Sequence, residues 1–265
     1  MIYLLCIIAA AGLILLVYML QEAFQNRVLF QTLTFPEYPE NMEPLNIFFI
    51  SDIHRRTIHS SIIERVQTKA DIVVIGGDLL EKGVPLTRIK ENLALLKKIA
   101  PTYFIWGNND YEVDQASFTR LLHEEGIKAL KNETEFVSLG MGKEFFLLGI
   151  DDMNQRQARL DEALRQCTTP GFRILASHNP AIIHKMKDYP GHNISLILSG
   201  HTHGGQIHIF GYSPYKRGTL KTNGPVAQLI SNGYGTTAVP LRLGARPETH
   251  LLTISHGNEF KVYRN

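Results

Sequence analysis

The chain has almost no cysteine: two in 265 residues. Cys6 lies in an apolar N-terminal run and Cys167 in a polar stretch far away. Neither a disulfide framework nor a cysteine-based metal knuckle is therefore available. Charge of one sign is equally scarce. The 27 Lys and Arg nearly balance the 25 Asp and Glu, for a net of +2, too weak a bias to imply a nucleic-acid partner. There is no internal repeat, no low-complexity tract, and no heptad or apolar stripe that would specify an oligomer. What remains is ordinary globular matter, 44% apolar and 20% charged, in a chain long enough to bury a core without staples. Histidine is the exception. There are eleven, several of them in short motifs with Asp and Gly.

The first segment is of a different material. From Ile2 to Leu20, nineteen residues carry no charged side chain, long enough to cross a hydrocarbon core of about 30 Å as a helix. A cleaved signal peptide would need a basic start, a shorter apolar run and a small-residue cleavage site. No Lys or Arg precedes the run, and Leu20-Gln21-Glu22-Ala23 offers no such site. Residues 1–20 are therefore expected to form a retained, single-pass transmembrane anchor in the cell membrane. Arg27 is the nearest basic residue and Glu22 lies closer still, so the positive-inside bias leans only slightly towards a cytoplasmic domain. Residues 21–44 contain Pro36, Pro39 and Pro44 without a sustained apolar period and read as a linker. Residues 45–265 are expected to form the soluble domain.

Within that domain, short apolar runs alternate with helical spacing. Leu45 to Ile50, Asp71 to Ile75 and Thr102 to Trp106 read as buried strands. Ile62, Ile63 and Val66, then Thr87 to Ala100, then the stretch around Phe118, Leu121 and Leu122 read as helices. Later strands are expected at Phe145 to Ile150, Arg173 to Ala176, Leu196 to Leu198, Gln206 to Ile209, Val226 to Ile230 and His250 to Ile254. The pattern predicts a layered α/β sandwich with a β-rich second half.

The chemistry sits where these strands end. Five apolar runs finish in turns that carry Asp52 and His54, Asp78, Asn108 to Asp110, His178, and His201 with His203. Residues at the carboxyl ends of sheet strands converge on one crevice. Carboxylate, amide oxygen and imidazole together suit Mn²⁺, Fe²⁺ or Zn²⁺. Seven such groups are too many for one tetrahedral ion and right for two ions sharing a carboxylate.

In this order, D-x-H, G-D, G-N, a lone His and G-H-x-H, the residues resemble the calcineurin-like metallophosphoesterase superfamily. The likeness runs from about Leu45 to Ser255. Gly200 to Ile207, reading GHTHGGQI, resembles its membrane-associated bacterial branch, as do Tyr215 to Gly218, Ser231 to Gly235 and Pro240 to Arg242. The resemblance implies a four-layer αββα sandwich and a dinuclear site. One metal would be held by Asp52, His54, Asp78 and His203. The other would be held by Asp78, Asn108, His178 and His201. It further implies hydrolysis of a phosphate ester by attack of a metal-bridging hydroxide.

One position departs from the pattern. Asn109 stands where the family usually carries a histidine that touches phosphate, and an amide can hydrogen-bond but supplies no proton. Asn109 and Asp110 are therefore candidates for substrate contact or for orienting a neighbour. Arg55, Arg56 and His59 follow the first motif and are candidates to reach phosphate. Three function classes follow. The first is a membrane-anchored phosphoesterase acting on a phospholipid or other membrane-borne phosphate. The second acts on soluble nucleotides or phosphoproteins. The third is a non-catalytic binding protein on the same fold, which a full ligand set disfavours.

Overall fold

The computed structural model describes residues 1–140, 142–224 and 226–264. Helix α1 (Ile2–Ala23) leads to strands β1 (Val28–Phe35) and β2 (Leu45–Ile50), α2 (Ser60–Val66), β3 (Ile72–Ile75), α3 (Leu86–Lys97), β4 (Thr102–Ile105) and α4 (Gln115–Glu124). There follow β5 (Lys128–Leu130), β6 (Glu133–Ser138), β7 (Glu144–Ile150), α5 (Leu160–Arg165), β8 (Phe172–Ser177), α6 (Ile182–Lys185) and β9 (Leu196–Ser199). The chain closes with β10 (Thr219–Asn223), β11 (Val226–Ile230), β12 (Thr249–His256) and β13 (Lys261–Arg264).

Two sheets form, ordered β13-β1-β12-β2-β3-β4-β5 and β10-β11-β9-β8-β7-β6. Successive side chains in a strand face opposite ways, and here both faces are apolar. Ile47, Phe49, Ile72 and Val74 enter the core between the sheets, while Phe48, Ile50, Val73 and Ile75 face the helices. That outer core is completed by Ile62 and Val66 of α2, Ile89 and Leu93 of α3, and Phe118 of α4. In the second sheet, Leu147, Ile174 and Leu196 face inward, and Leu148, Leu175 and Ile197 meet Leu160, Ala163 and Ile182 on the far side. The result is the four-layer αββα sandwich. The central parallel strands β2 to β4 and β7 to β9 are buried on both faces, so they read as continuous apolar runs. The shorter or more polar edge strands β5, β6, β10 and β13 do not.

Two expectations are corrected. The segment 21–44 is not a plain spacer, because β1 runs parallel to β12 over eight paired residues and antiparallel to β13. Its alternation is visible in retrospect: Leu33 and Phe35 point into the core, and Thr32 and Thr34 point away. Residues 206–209 are not a strand. Gln206 has a left-handed φ of 53°, and its side chain is tied to Thr237 and Val239. The segment keeps isolated bridges from Ile207 to Leu243 and Gly244 and from Ile209 to Tyr212.

Helix α1 stands off the core. Its most apolar 18-residue window has a mean hydropathy of 2.7 and no buried residue, so it is long and apolar enough to cross a membrane by length and composition. Its last turn, by contrast, is clasped. The terminal carbonyls of a helix lack partners, and α1 has no basic residue there of its own. Arg56 supplies the donors. Its guanidinium bonds the carbonyls of Ala23 (3.3 Å), Phe24 (3.1 Å) and Gln25 (3.2 Å), and lies 3.7 Å from the Tyr234 ring centroid. Glu22 pairs with Arg246 at 3.0 Å, and the Arg242 amide donates to the Met19 carbonyl at 3.1 Å.

Deleting residues 1–18 therefore removes only exposed helix and should leave the melting temperature nearly unchanged. Deleting residues 1–36 also removes buried Val28, Leu33 and Phe35, at about 2 kcal/mol each, and should lower Tm by roughly 15 °C. Equal melting temperatures for the two truncations would contradict the place given to β1.

Candidate active site

The carboxyl ends of β2 and β3 in one sheet, and of β8 and β9 in the other, bring together six of the seven residues predicted as metal ligands. Asp52, His54 and His203 form one group, and Asp78, His178 and His201 a second. Within each group, one ligand atom per residue lies within 4.8 Å of the others. The Nε2 atoms of His54 and His203 face each other at 3.0 Å, and His203 Nε2 is 3.6 Å from Asp52 Oδ1. Asp78 Oδ2 lies 3.2 Å from His178 Nε2 and 3.8 Å from His54 Nε2, so one carboxylate sits at the junction of both groups. His201 Nδ1 is 3.2 Å from His178 Nε2.

The backbone is bent to make this possible. Asp52, His54, Asp78, His201 and His203 all have φ between 50° and 71°, a region that non-glycine residues rarely occupy. Each such residue costs on the order of 1–3 kcal/mol, which the surrounding structure must offset. Two glycines serve by allowing close approach. A Cβ on Gly107 would meet Asp78 Oδ1 at 2.3 Å, and one on Gly200 would meet Asp52 Oδ2 at 2.3 Å. Their task is room for the carboxylates.

Backbone amides hold one oxygen of each acid. His201 N donates to Asp52 Oδ1 at 2.9 Å, and Asn109 N to Asp78 Oδ1 at 2.8 Å. Asp52 Oδ2 is buried with no hydrogen-bond partner, an arrangement that is costly unless something positive is bound. Burial first, then the neighbouring His178, lowers the pKa of His201; burial and His54 do the same to His203. Both rings are thereby kept neutral, the form that ligates metal. Burial alone would also lower His178, but the Asp78 carboxylate outweighs it and pushes the ring up to about 10. The unpartnered Asp52 Oδ2 and the ring nitrogens that face each other at 3.0 Å call for positive charge between them. The donor set thus fits a pair of cations.

The outer ring nitrogens are held as well. His178 Nδ1 meets the Gly76 carbonyl at 2.9 Å, and His54 Nδ1 lies 3.0 Å from Glu81 Oε2. Glu81, which also pairs with Arg55, was not picked out from sequence. Its only signal is its place three residues after Asp78, in the same loop. Arg242 is a second residue without an assigned task in the sequence. It is fully buried, and its guanidinium donates to the carbonyls of His203 (3.2 Å), Asn232 (2.7 Å) and Gly235 (2.7 Å).

Other candidates divide. Asp110 is fully buried and accepts from the amides of Asp78 (2.8 Å), Leu79 (2.9 Å) and Gly107 (2.8 Å). Burial, with the Asp78 charge, raises its carboxyl to about 7. It fastens the β3 and β4 loops together from beneath. The half-buried side chain of Asn109 is shared between Asn108 Nδ2 (2.8 Å) and Glu112 Oε1 (2.9 Å). Asn108 also stands 3.5 Å from Asn154. Arg56 is committed to α1, and His59 caps α2 by accepting from Ser61 N, so neither is free to reach a phosphate. The fully buried His250 is spent on Gln31 and Ser231.

Comparison with known proteins agrees with this geometry. Residues 45–205 match the family model of the calcineurin-like phosphoesterases. The uncharacterized protein YpbG of Bacillus subtilis (strain 168) is 44% identical over 227 residues, spanning 84% of this chain and 86% of that one. A transmembrane protein with metallophosphoesterase domain from Danio rerio is 34% identical over 79% of this chain and 53% of its own length. Phosphodiesterase YaeI of Escherichia coli (strain K12) is 28% identical over 82% of this chain and 84% of that one. Among solved structures, a 5'-nucleotidase precursor from Thermus thermophilus superposes with a TM-score of 0.54 at 13% identity, covering 80% of this chain and 55% of that one, a likeness of fold alone. The chain belongs to the calcineurin-like phosphoesterase family. It is a metal-dependent phosphoric ester hydrolase.

Glu81→Gln should weaken divalent-metal binding by about 10- to 100-fold, as loss of a carboxylate behind a ligating histidine does. Calorimetric titration with Mn²⁺ measures it. Unchanged affinity would remove Glu81 from the site.

Proposed function

We propose that the two groups hold two divalent cations, Mn²⁺, Fe²⁺ or Zn²⁺, and that the enzyme cleaves a membrane-borne phosphate ester, with a phospholipid favoured. Asp52, His54, Asp78 and His203 would hold one cation. Asp78, Asn108, His178 and His201 would hold the other. The observation that carries this reading is the position of Asp78 Oδ2 between His54 and His178. Bound there, the cations would supply Lewis acidity to phosphoryl oxygens and a nucleophile active near neutral pH.

The protein's own residues do the rest. Gly76 and Glu81 fix the His178 and His54 rings. Asp110 locks the loops that carry Asp78 and Asn108. Asn109 stands beside Asp78 with a side chain that hydrogen-bonds but holds no proton to give. The leaving group must then be a good one or find its proton elsewhere.

The membrane part of the proposal rests on α1, read as a single-pass anchor in the cell membrane. Tethering raises the local concentration of the domain at the bilayer, an advantage when the substrate is there too. The relative from Danio rerio, named as a transmembrane protein, supports the same reading. The complete pair of acid–histidine groups weighs against a non-catalytic binding protein.

Full-length enzyme should hydrolyse phospholipid phosphate in vesicles when supplied with Mn²⁺ or Zn²⁺, faster than nucleotides or phosphopeptides at matched concentration. The reverse preference would assign it a soluble substrate. Asp78→Ala should abolish metal loading and turnover together, measured by elemental analysis and by phosphate release. Full activity in that variant would overturn the assignment.

A further inference from the structure

Among the described residues, nine large apolar side chains that follow α1 in the chain are exposed, and they are not evenly spread. Five of them, Ile209, Phe210, Tyr212, Tyr215 and Val239, belong to two loops that are tied to each other. The Gln206 side chain bonds the carbonyls of Thr237 (3.0 Å) and Val239 (3.1 Å), and its backbone carbonyl accepts from Leu243 N at 2.9 Å. His208 N donates to the Leu243 carbonyl at 2.8 Å. The residue before Leu243 is Arg242, whose amide bonds Met19 in the last turn of α1. Both loops thus hang on the end of the membrane-length helix.

The level of that attachment matters. Residues 2–18 of α1 are exposed, and at 1.5 Å per residue they reach about 25 Å, close to the roughly 30 Å of a hydrocarbon core. A bilayer crossed by this stretch has its near face at Met19, the height at which the loops are fastened.

The tip itself is built to project. Ile209 and Tyr212 exchange both backbone hydrogen bonds, at 3.0 and 2.9 Å, across Phe210 and Gly211. Both central residues have positive φ, 50° and 86°. Such turns normally take Asn or Asp first. Here the place is held by a phenylalanine that is 97% exposed, an outlay of strain that no intramolecular contact returns. Exposed Lys216 and Arg217 follow, an arrangement of apolar tip and cationic base that suits an anionic lipid surface.

We propose that Ile209, Phe210, Tyr212 and Val239 seat in the interfacial layer of the bilayer that α1 crosses, with Lys216 and Arg217 at its anionic headgroups. The inference rests on reading α1 as a membrane anchor. The hairpin tip lies seven residues after His203, so its seating holds the site against the headgroup layer.

The test uses full-length protein with Cys6→Ser and Cys167→Ser, carrying one new cysteine at Phe210→Cys or Tyr212→Cys. Each is labelled with an environment-sensitive fluorophore and reconstituted in phosphatidylethanolamine–phosphatidylglycerol vesicles. Emission should rise about threefold over a label at Glu40→Cys and be quenched by lipids spin-labelled near the headgroup. Emission and quenching equal to the Glu40 position at both sites would overturn the proposal, whether the face then meets water or a protein. So would failure of the chain to enter vesicles. Lipid hydrolysis measured in parallel separates the two readings. Hydrolysis without label penetration removes the docking face alone, and penetration without hydrolysis removes the lipid substrate alone.

Discussion

Two carboxylates, Asp52 and Asp78, are buried at the seam between the sheets, 0% and 2% exposed, and much of the local structure answers to that fact. Burying a carboxylate is prohibitive unless it is bonded and paired. Each acid receives one backbone amide, from His201 and from Asn109. Supplying those amides requires the β9 and β4 loops to press against the acids, and that close approach is why positions 107 and 200 have no side chain. The left-handed conformations of five acid and histidine residues follow from the same demand. So does the buried Asp110, which gathers three loop amides so that the β3 and β4 turns cannot drift. What the protein does not satisfy, Asp52 Oδ2 and imidazole nitrogens aimed at each other, is what a pair of cations would satisfy.

The same region is joined to the N-terminal helix. Arg242 bonds Met19 through its amide and His203 through its guanidinium. Arg56, two residues after His54, takes three carbonyls at the end of α1. The helix is therefore mounted on the segments that present His54 and His203, where a flexible tether would leave it independent. On the proposed reading of α1 as a membrane anchor, this mounting would hold the site in one orientation to the bilayer.

Much of this was legible in the sequence because the central strands announce themselves. Ile47 to Ile50 and Ile72 to Ile75 are buried on both faces, so they appear as unbroken apolar runs, and each empties directly into its motif. Spacing then identified all six acid and histidine residues that converge. What stayed hidden depended on long-range partners. β1 looked like a spacer because three of its eight side chains are polar and prolines follow it, and only pairing with β12 and β13, more than two hundred residues away, makes it a strand. Glu81 and Arg242 act through His54 and His203, contacts that no local pattern encodes. Arg56 stood in the sequence as a candidate to reach phosphate, yet the carbonyls at the end of α1 draw it inside. The segment 206–209 had the composition of a strand but not its backbone, because the Gln206 side chain bonds the 237–239 loop.

The claim on which the rest depends is that the Asp52 and Asp78 groups form one two-cation site. Anomalous diffraction from crystals grown with Mn²⁺, recorded at the manganese edge, addresses it directly. Two adjacent peaks are expected, one bounded by Asp52, His54 and His203 and one by Asp78, His178 and His201, with Asp78 reaching both. A single peak, or manganese bound away from these residues in crystals of active enzyme, would contradict it.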